Sequence, residues 1–233
     1  MSLVVPAVLP SSREDFEQKL ALFTSIPSVS RIQIDVVDGR FATPVSWPFT
    51  APMDLRTMAA KNEMLPELDR IAYELDLMCF DAPHAALDWL ALGASRLTFH
   101  AESATDLPRL LASARMRHGS DLISFGLALN TVTDLAIIEP CLDDIQYVQF
   151  MGIARIGRQG QPFDDRVFEK VRTFYARHPD IPVQIDGGVS LESARELVTL
   201  GVSNFVIGSA IMRASDPAAA ITEFEMLETP YGV

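Results

Sequence analysis

Residues 183–211, VQIDGGVSLESARELVTLGVSNFVIGSAI, alternate short apolar runs with glycine turns in an order that few architectures use. The run from Val183 to Ile185 stops at Asp186-Gly187-Gly188. Ser190 can then cap a helix whose Leu191, Ala194, Leu197 and Val198 recur at helical spacing, and Gly201 ends it. Phe205-Val206-Ile207 is a second strand, closed by Gly208-Ser209. Two strand–glycine–helix units in tandem present backbone N–H groups where phosphate binds. In a (β/α)8 barrel, the loops after strands 7 and 8 commonly form that site. Ligand-free tight turns would leave the same letters, and Asp186 alone could be a helix cap.

The rest of the chain supplies the units this ending needs. Apolar runs predict strands at 4–9, 31–37, 71–79, 96–99, 122–129 and 147–153. Between them lie predicted helices: one capped by Ser11 or Ser12 with Phe16, Leu20 and Phe23 on one face, then 53–68 broken near Pro66, 83–92, 107–116, a short one at 132–138, and 164–178. A long proline-rich loop runs from Asp38-Gly39 to about Pro52, and a Gly/Arg loop spans 154–162. Eight strands alternating with helices favour a closed parallel (β/α)8 barrel, and 233 residues suit a single domain, 1–233, of that kind.

Charge narrows the partners. With 19 Lys+Arg against 31 Asp+Glu, the net charge of −12 argues against nucleic acid or an anionic membrane as a bulk partner. An anionic substrate must then be held by local groups. Cys79 and Cys141 form no metal-spaced pair, and the N-terminus lacks a basic leader, so a reducing cytoplasm is the expectation.

Polar residues at the C-terminal ends of barrel strands are the catalytic candidates: Gln33, Asp35, Asp38, Asp76, His100, Glu102, Asn130 and Asp186. Asp35 and Asp76 differ from the rest because each interrupts an apolar strand, IQIDVV and ELDLM. An unpaired carboxylate there would cost several kcal/mol, so each must face the mouth, a cation or a proton. Asp35 on strand 2 and Asp186 on strand 7 could approach a substrate from opposite faces, as a two-base epimerisation requires.

The segments VPAVLPSS, QIDVVDGRF, ELDLM, LTFHAES, FGLALNTVT, GQPF, QIDGGV and VIGSAI together make the chain resemble the ribulose-phosphate 3-epimerase family of the ribulose-phosphate-binding barrel superfamily. The resemblance implies an isomerase of carbohydrate metabolism acting on a small phosphorylated sugar through an enediolate, with Asp35 and Asp186 as the acid/base pair. It implies that Met78 and Met151 flank the reacting carbon and that Gly160, Gly187, Gly188, Gly208 and Ser209 contact phosphate. A homo-oligomer is the matching expectation. The metal positions are Gln33, Asp35, Asp76 and Asp186, and two of them depart from the family, where Gln33 and Asp76 are histidines. An amide oxygen with three carboxylates suits Mg²⁺ or Mn²⁺ rather than Zn²⁺, if any ion binds. Without one, three close carboxylates cannot all stay ionised. Ala7 stands where the family has serine, and the lid loop carries two added arginines, Arg155 and Arg158, which suggest a different or additional anionic group in the ligand.

Lys19, Lys61 and Lys170 all fall in predicted helices, which disfavours a Schiff-base aldolase, and Asp35-Val36-Val37-Asp38 lacks the lysine of the related decarboxylases and hexulose-phosphate synthases. Two readings stand: a sugar-phosphate 3-epimerase, and a catalytically inactive or sensory phosphosugar-binding barrel.

Overall fold

Strands covered by helices on one face and closed around a barrel interior on the other are buried on both faces, and the strands here are so buried although several of them alternate apolar with polar residues. In the computed structural model, which describes residues 2–119 and 122–227, β1 (Val4–Val8), β2 (Arg31–Val37), β3 (Ala72–Met78), β4 (Arg96–His100), β5 (Ser124–Leu129), β6 (Tyr147–Met151), β7 (Val183–Asp186) and β8 (Asn204–Ile207) pair in parallel in chain order. β8 pairs back onto β1 and closes the (β/α)8 barrel.

The alternation along each strand sorts two populations. Ile32, Ile34, Val36, Leu75, Leu77, Leu97, Phe99, Phe150, Ile185 and Phe205 join the helices in one continuous apolar cluster. The alternate residues point inward and are largely polar: Gln33, Asp35, Glu74, Asp76, Thr98, His100, Gln149, Gln184 and Asp186 are all buried. Register sets their levels, with Asp35 opposite Asp76 and Met151 opposite Asp186. Lower down, Glu74 accepts from Arg96 Nε at 2.9 Å and from Gln184, and Arg31 Nη1 lies 3.5 Å away. Arg96 also stacks on the Tyr147 ring, 4.1 Å from its centre. That ring explains Gly126, since a Cβ there would fall among its carbons.

The helices are α1 (Arg13–Thr24), α2 (Pro52–Ala60), α3 (Ala82–Ala85), α4 (Leu87–Ala91), α5 (Leu107–His118), α6 (Arg166–Tyr175), α7 (Leu191–Thr199), α8 (Ser209–Met212) and α9 (Pro217–Glu225). Of the two serines named for the first cap, Ser12 takes the role: its hydroxyl accepts from Asp15 N, and Phe16, Leu20 and Phe23 are buried as the spacing predicts. Ser190 caps α7 in a reciprocal box with Ser193.

Three expectations need correction. The helix predicted over 53–68 ends at Ala60, because Asn62 and Glu67 take positive φ and Leu65 N–H is drawn to Leu92 O. The segment 83–92 is two short helices, α3 and α4, joined at Ala86. The piece predicted over 132–138 is a 3-10 turn, Leu135–Ile137, capped by Asp134 and followed by a second, Glu139–Asp144. No described helix is long and apolar enough to cross a membrane.

Candidate active site

The C-terminal ends of β2, β3 and β7 bring Asp35, Asp76 and Asp186 together, each offering an oxygen within 4.8 Å of the others. Gln33, one layer below on β2, reaches up between two of them: its Nε2 donates to Asp35 Oδ1 at 2.9 Å and to Asp186 Oδ2 at 3.0 Å. Gln149 Nε2 donates to the same Asp186 oxygen at 3.3 Å. On the third carboxylate, His100 Nε2 lies 3.0 Å from Asp76 Oδ1.

Burial dominates the electrostatics. It pushes the Asp35 carboxyl up to about 8, with Asp76 adding to the rise. Asp186 is raised well above the ordinary carboxylate range by burial and then by Asp35. Burial alone would lower His100, but the Asp76 carboxylate outweighs it and raises the imidazole. Carboxyl groups raised in this way hold protons near neutrality unless a cation offsets their charge.

Above this floor opens a cavity of about 270 Å³ whose wall includes Asp35, Asp186, Met78 and Met151. Gly187-Gly188, Gly208-Ser209 and Gly160 line it too. Gly187 and Gly188 have φ of 95° and 71°, and a Cβ on Gly188 would press within 2.9 Å of the Phe163 backbone. Only glycine makes this turn without strain. The loop over the cavity sends its two arginines to different places. Arg158 lines the cavity and donates from Nε to Thr43 O at 3.2 Å, whereas Arg155 faces an adjoining hollow beside Phe41, Asn130 and Thr131.

Other candidates have plainer roles. Asp38 accepts from the backbone N–H groups of Arg40, Phe41 and Phe80, which makes it a loop organiser. Glu102 accepts from Asn130 N and Thr133 Oγ1, and Lys170 Nζ donates to the carbonyls of Asn130 and Thr133, so both fix the loop after β5. Among the described residues no lysine lines the cavity. Three site residues escaped the sequence reading: Gln149, Gln159 and Arg213. Gln149 gave a usable signal, a polar residue inside the apolar strand YVQFM. The other two, in a loop and at a helix end, gave none.

The donor set has the chemistry to suit a divalent ion. Besides the three converging carboxylates, Asp76 Oδ2 and Gln33 Oε1 are buried oxygens with no hydrogen-bond partner among the described residues. Oxygen atoms left in that state suit a hard cation.

The profile of the Ribulose-phosphate 3 epimerase family matches residues 3–212. The chain belongs to that family. Membership in the ribulose-phosphate 3-epimerase family makes it an isomerase of the racemase and epimerase class. Its relatives include a ribulose-phosphate 3-epimerase of Mycobacterium leprae, 29% identical over 94% of this chain and 92% of the relative. Another, of Escherichia coli (strain K12), is 25% identical over 95% and 93%. Among solved structures, KGPDC from Streptococcus mutans in complex with a pentose phosphate superposes with a TM-score of 0.67 at 17% identity, covering 96% of this chain and 95% of that one. A 3-hexulose-6-phosphate synthase superposes with a TM-score of 0.65 at 21% identity, covering 97% and 98%. These two likenesses establish the barrel and nothing finer.

Proposed function

We propose that this family member is a ketose-phosphate 3-epimerase that moves a proton between the two faces of its substrate with Asp35 and Asp186. The observation that carries the reading is the joining of these two carboxyl groups by one amide, Gln33, at the floor of the cavity that Met78 and Met151 wall.

One aspartate takes the proton from C3, beside the ketone. The C–H electron pair moves into the C2–C3 bond while the carbonyl oxygen takes up charge, giving an enediolate. The other aspartate returns a proton to the opposite face of C3 and the ketone re-forms. Gln33 and Gln149 orient the two carboxyl groups through their hydrogen bonds, and the thioethers of Met78 and Met151 keep water from the reacting carbon. The turns Gly187-Gly188 and Gly208-Ser209, with Gly160, receive the phosphate through backbone N–H groups. A divalent ion held by Asp35, Asp76 and Asp186 would polarise the ketone and offset the enediolate charge; were Gln33 to turn Oε1 to it as a fourth donor, the ion would replace the Gln33 amide in orienting the two carboxylates and Gln149 would keep its bond to Asp186. With both imidazole positions changed to oxygen donors, Mg²⁺ or Mn²⁺ fits this set better than Zn²⁺. The relatives' names and the pentose phosphate in the neighbouring KGPDC complex support a phosphorylated pentulose as substrate. The buried free thiols of Cys79 and Cys141 agree with a reducing cytoplasm.

The test is exchange of the C3 proton in D₂O. Ribulose 5-phosphate incubated with the protein and Mg²⁺ or Mn²⁺ should gain deuterium at C3 and equilibrate with its epimer. Asp35→Asn and Asp186→Asn should each abolish epimerisation. Absence of exchange across a panel of ketose phosphates, with phosphosugar binding intact, would instead identify a sensory barrel.

A further inference from the structure

Resting on the reading of this cavity as a ketose-phosphate site, we propose that Arg213 is its phosphate-binding side chain and ties occupancy of the site to the position of the lid loop. A phosphate entering here approaches a floor of clustered carboxylates on a protein of net charge −12. Backbone N–H groups favour an anion there, and a side-chain cation at the phosphate end would add a full opposite charge and stronger, charge-assisted hydrogen bonds.

Arg213 directly follows α8, within one helical turn of Gly208-Ser209, and its side chain lines the same cavity as both glycine turns. Among the described residues its guanidinium has no carboxylate or carbonyl partner, whereas Arg96, Arg115 and Arg177 each hold a carboxylate. Arg158, the other arginine on the cavity wall, is tethered to Thr43 O. Arg213 is thus the cation at this end with its donors uncommitted, and a planar guanidinium can give a phosphate two parallel hydrogen bonds.

The lid contact is equally specific. Gly160 has φ of 79°, and a Cβ there would come within 2.8 Å of Arg213 Nη2. The preceding residue, Gln159, lays its side-chain amide against Gly208. Glycine at 160 therefore leaves space for the guanidinium, and the lid meets the phosphate turn through Gln159 and Arg213 together. An anion that engages Arg213 fixes the guanidinium against Gly160 and so holds the loop over the carboxylates. The consequence is discrimination: phosphorylated ketoses close the lid, and their unphosphorylated counterparts do not.

The experiment compares wild type with Arg213→Gln, Arg213→Lys and Gly160→Ala by calorimetric titration with inorganic phosphate and with ribulose 5-phosphate at fixed ionic strength, alongside steady-state kinetics. Arg213→Gln should weaken both anions by about tenfold or more, the scale of a hydrogen bond to a charged group, and raise KM far more than it lowers kcat. Its affinity for unphosphorylated ribulose should stay that of wild type, and Arg213→Lys should recover part of the loss. Gly160→Ala should weaken phosphate by a larger factor in the wild-type background than in the Arg213→Gln background, where only its effect on the loop backbone remains. Wild-type affinity for phosphate in Arg213→Gln, or no phosphate binding by wild type, overturns the proposal. Arg213-dependent phosphate binding without C3 exchange upholds it and overturns the epimerase reading alone.

Discussion

His100 Nε2 sits 3.0 Å from Asp76 Oδ1, and neither residue has any exposure. The imidazole engages one oxygen of Asp76 and leaves the other, Oδ2, without a hydrogen-bond partner among the described residues. Removing one member of a buried charged pair leaves the other without compensation, at about 3–5 kcal/mol. His100→Leu should therefore lower unfolding free energy by that amount in urea titrations, while His100→Gln, which can still donate, should cost about 1–2 kcal/mol. Equal stability of His100→Leu and wild type would show that the pair adds nothing.

The Asp35 carboxyl gives a pH dependence with a definite sign. Its folded value, raised to about 8, lies above an unfolded value of about 3.9. Between those limits the folded chain keeps a proton that the unfolded chain has released, so this group's stabilisation is complete below about pH 4 and is lost as pH rises towards 8. In chelator-treated protein, the melting temperature should fall over this window, and Asp35→Asn should flatten the fall. An unchanged slope in the variant would assign it to other groups.

The all-oxygen donor set of Gln33, Asp35, Asp76 and Asp186 predicts the metal preference. Wild-type protein should purify with little zinc and gain thermal stability from millimolar Mg²⁺ or Mn²⁺. Gln33→His combined with Asp76→His should bind one zinc per chain, read by elemental analysis. Stoichiometric zinc in the wild type, with turnover of ribulose 5-phosphate that the double variant cannot exceed, would mean that the substitutions left the chemistry as it was.

Gly126 faces the Tyr147 ring inside the barrel, with no space for a methyl group. Gly126→Ala should destabilise by about 1–3 kcal/mol through overpacking. Combined with Tyr147→Leu, its cost should be smaller than the sum of the two single costs, because the variants relieve one another's crowding. Strict additivity would place the strain elsewhere.

The fold was legible because its strands are apolar and its turns carry glycine, and Asp35 and Asp76 stood out because a charge inside an apolar strand has to be compensated. The same rule would have found Gln149, whose amide looked ordinary until Asp186 was seen above it. Arg213 could not be found this way, since an arginine at a helix end is common and its meaning lies in the distance to Gly160. The helix expected over 53–68 failed for a different reason. Met58 and Leu65 are both buried, but Leu65 belongs to the irregular segment after the helix and hydrogen-bonds to Leu92, so apolar spacing alone merges two packing sites into one face.

At the opposite end of the barrel interior, Arg31 and Arg96 bring two positive charges to the single Glu74, beneath a layer of amides from Gln149 and Gln184. The interior is thereby polarised along its axis, cationic below and anionic at the mouth, and a proton moving downward would climb that potential. On the epimerase reading proposed above, the favourable way out for a proton lifted from the substrate is upward, past the loop that carries Gln159 and Gly160. On the two-aspartate reading, return of isotopic label to recovered, unepimerised substrate then becomes a gauge of how tightly that loop shuts.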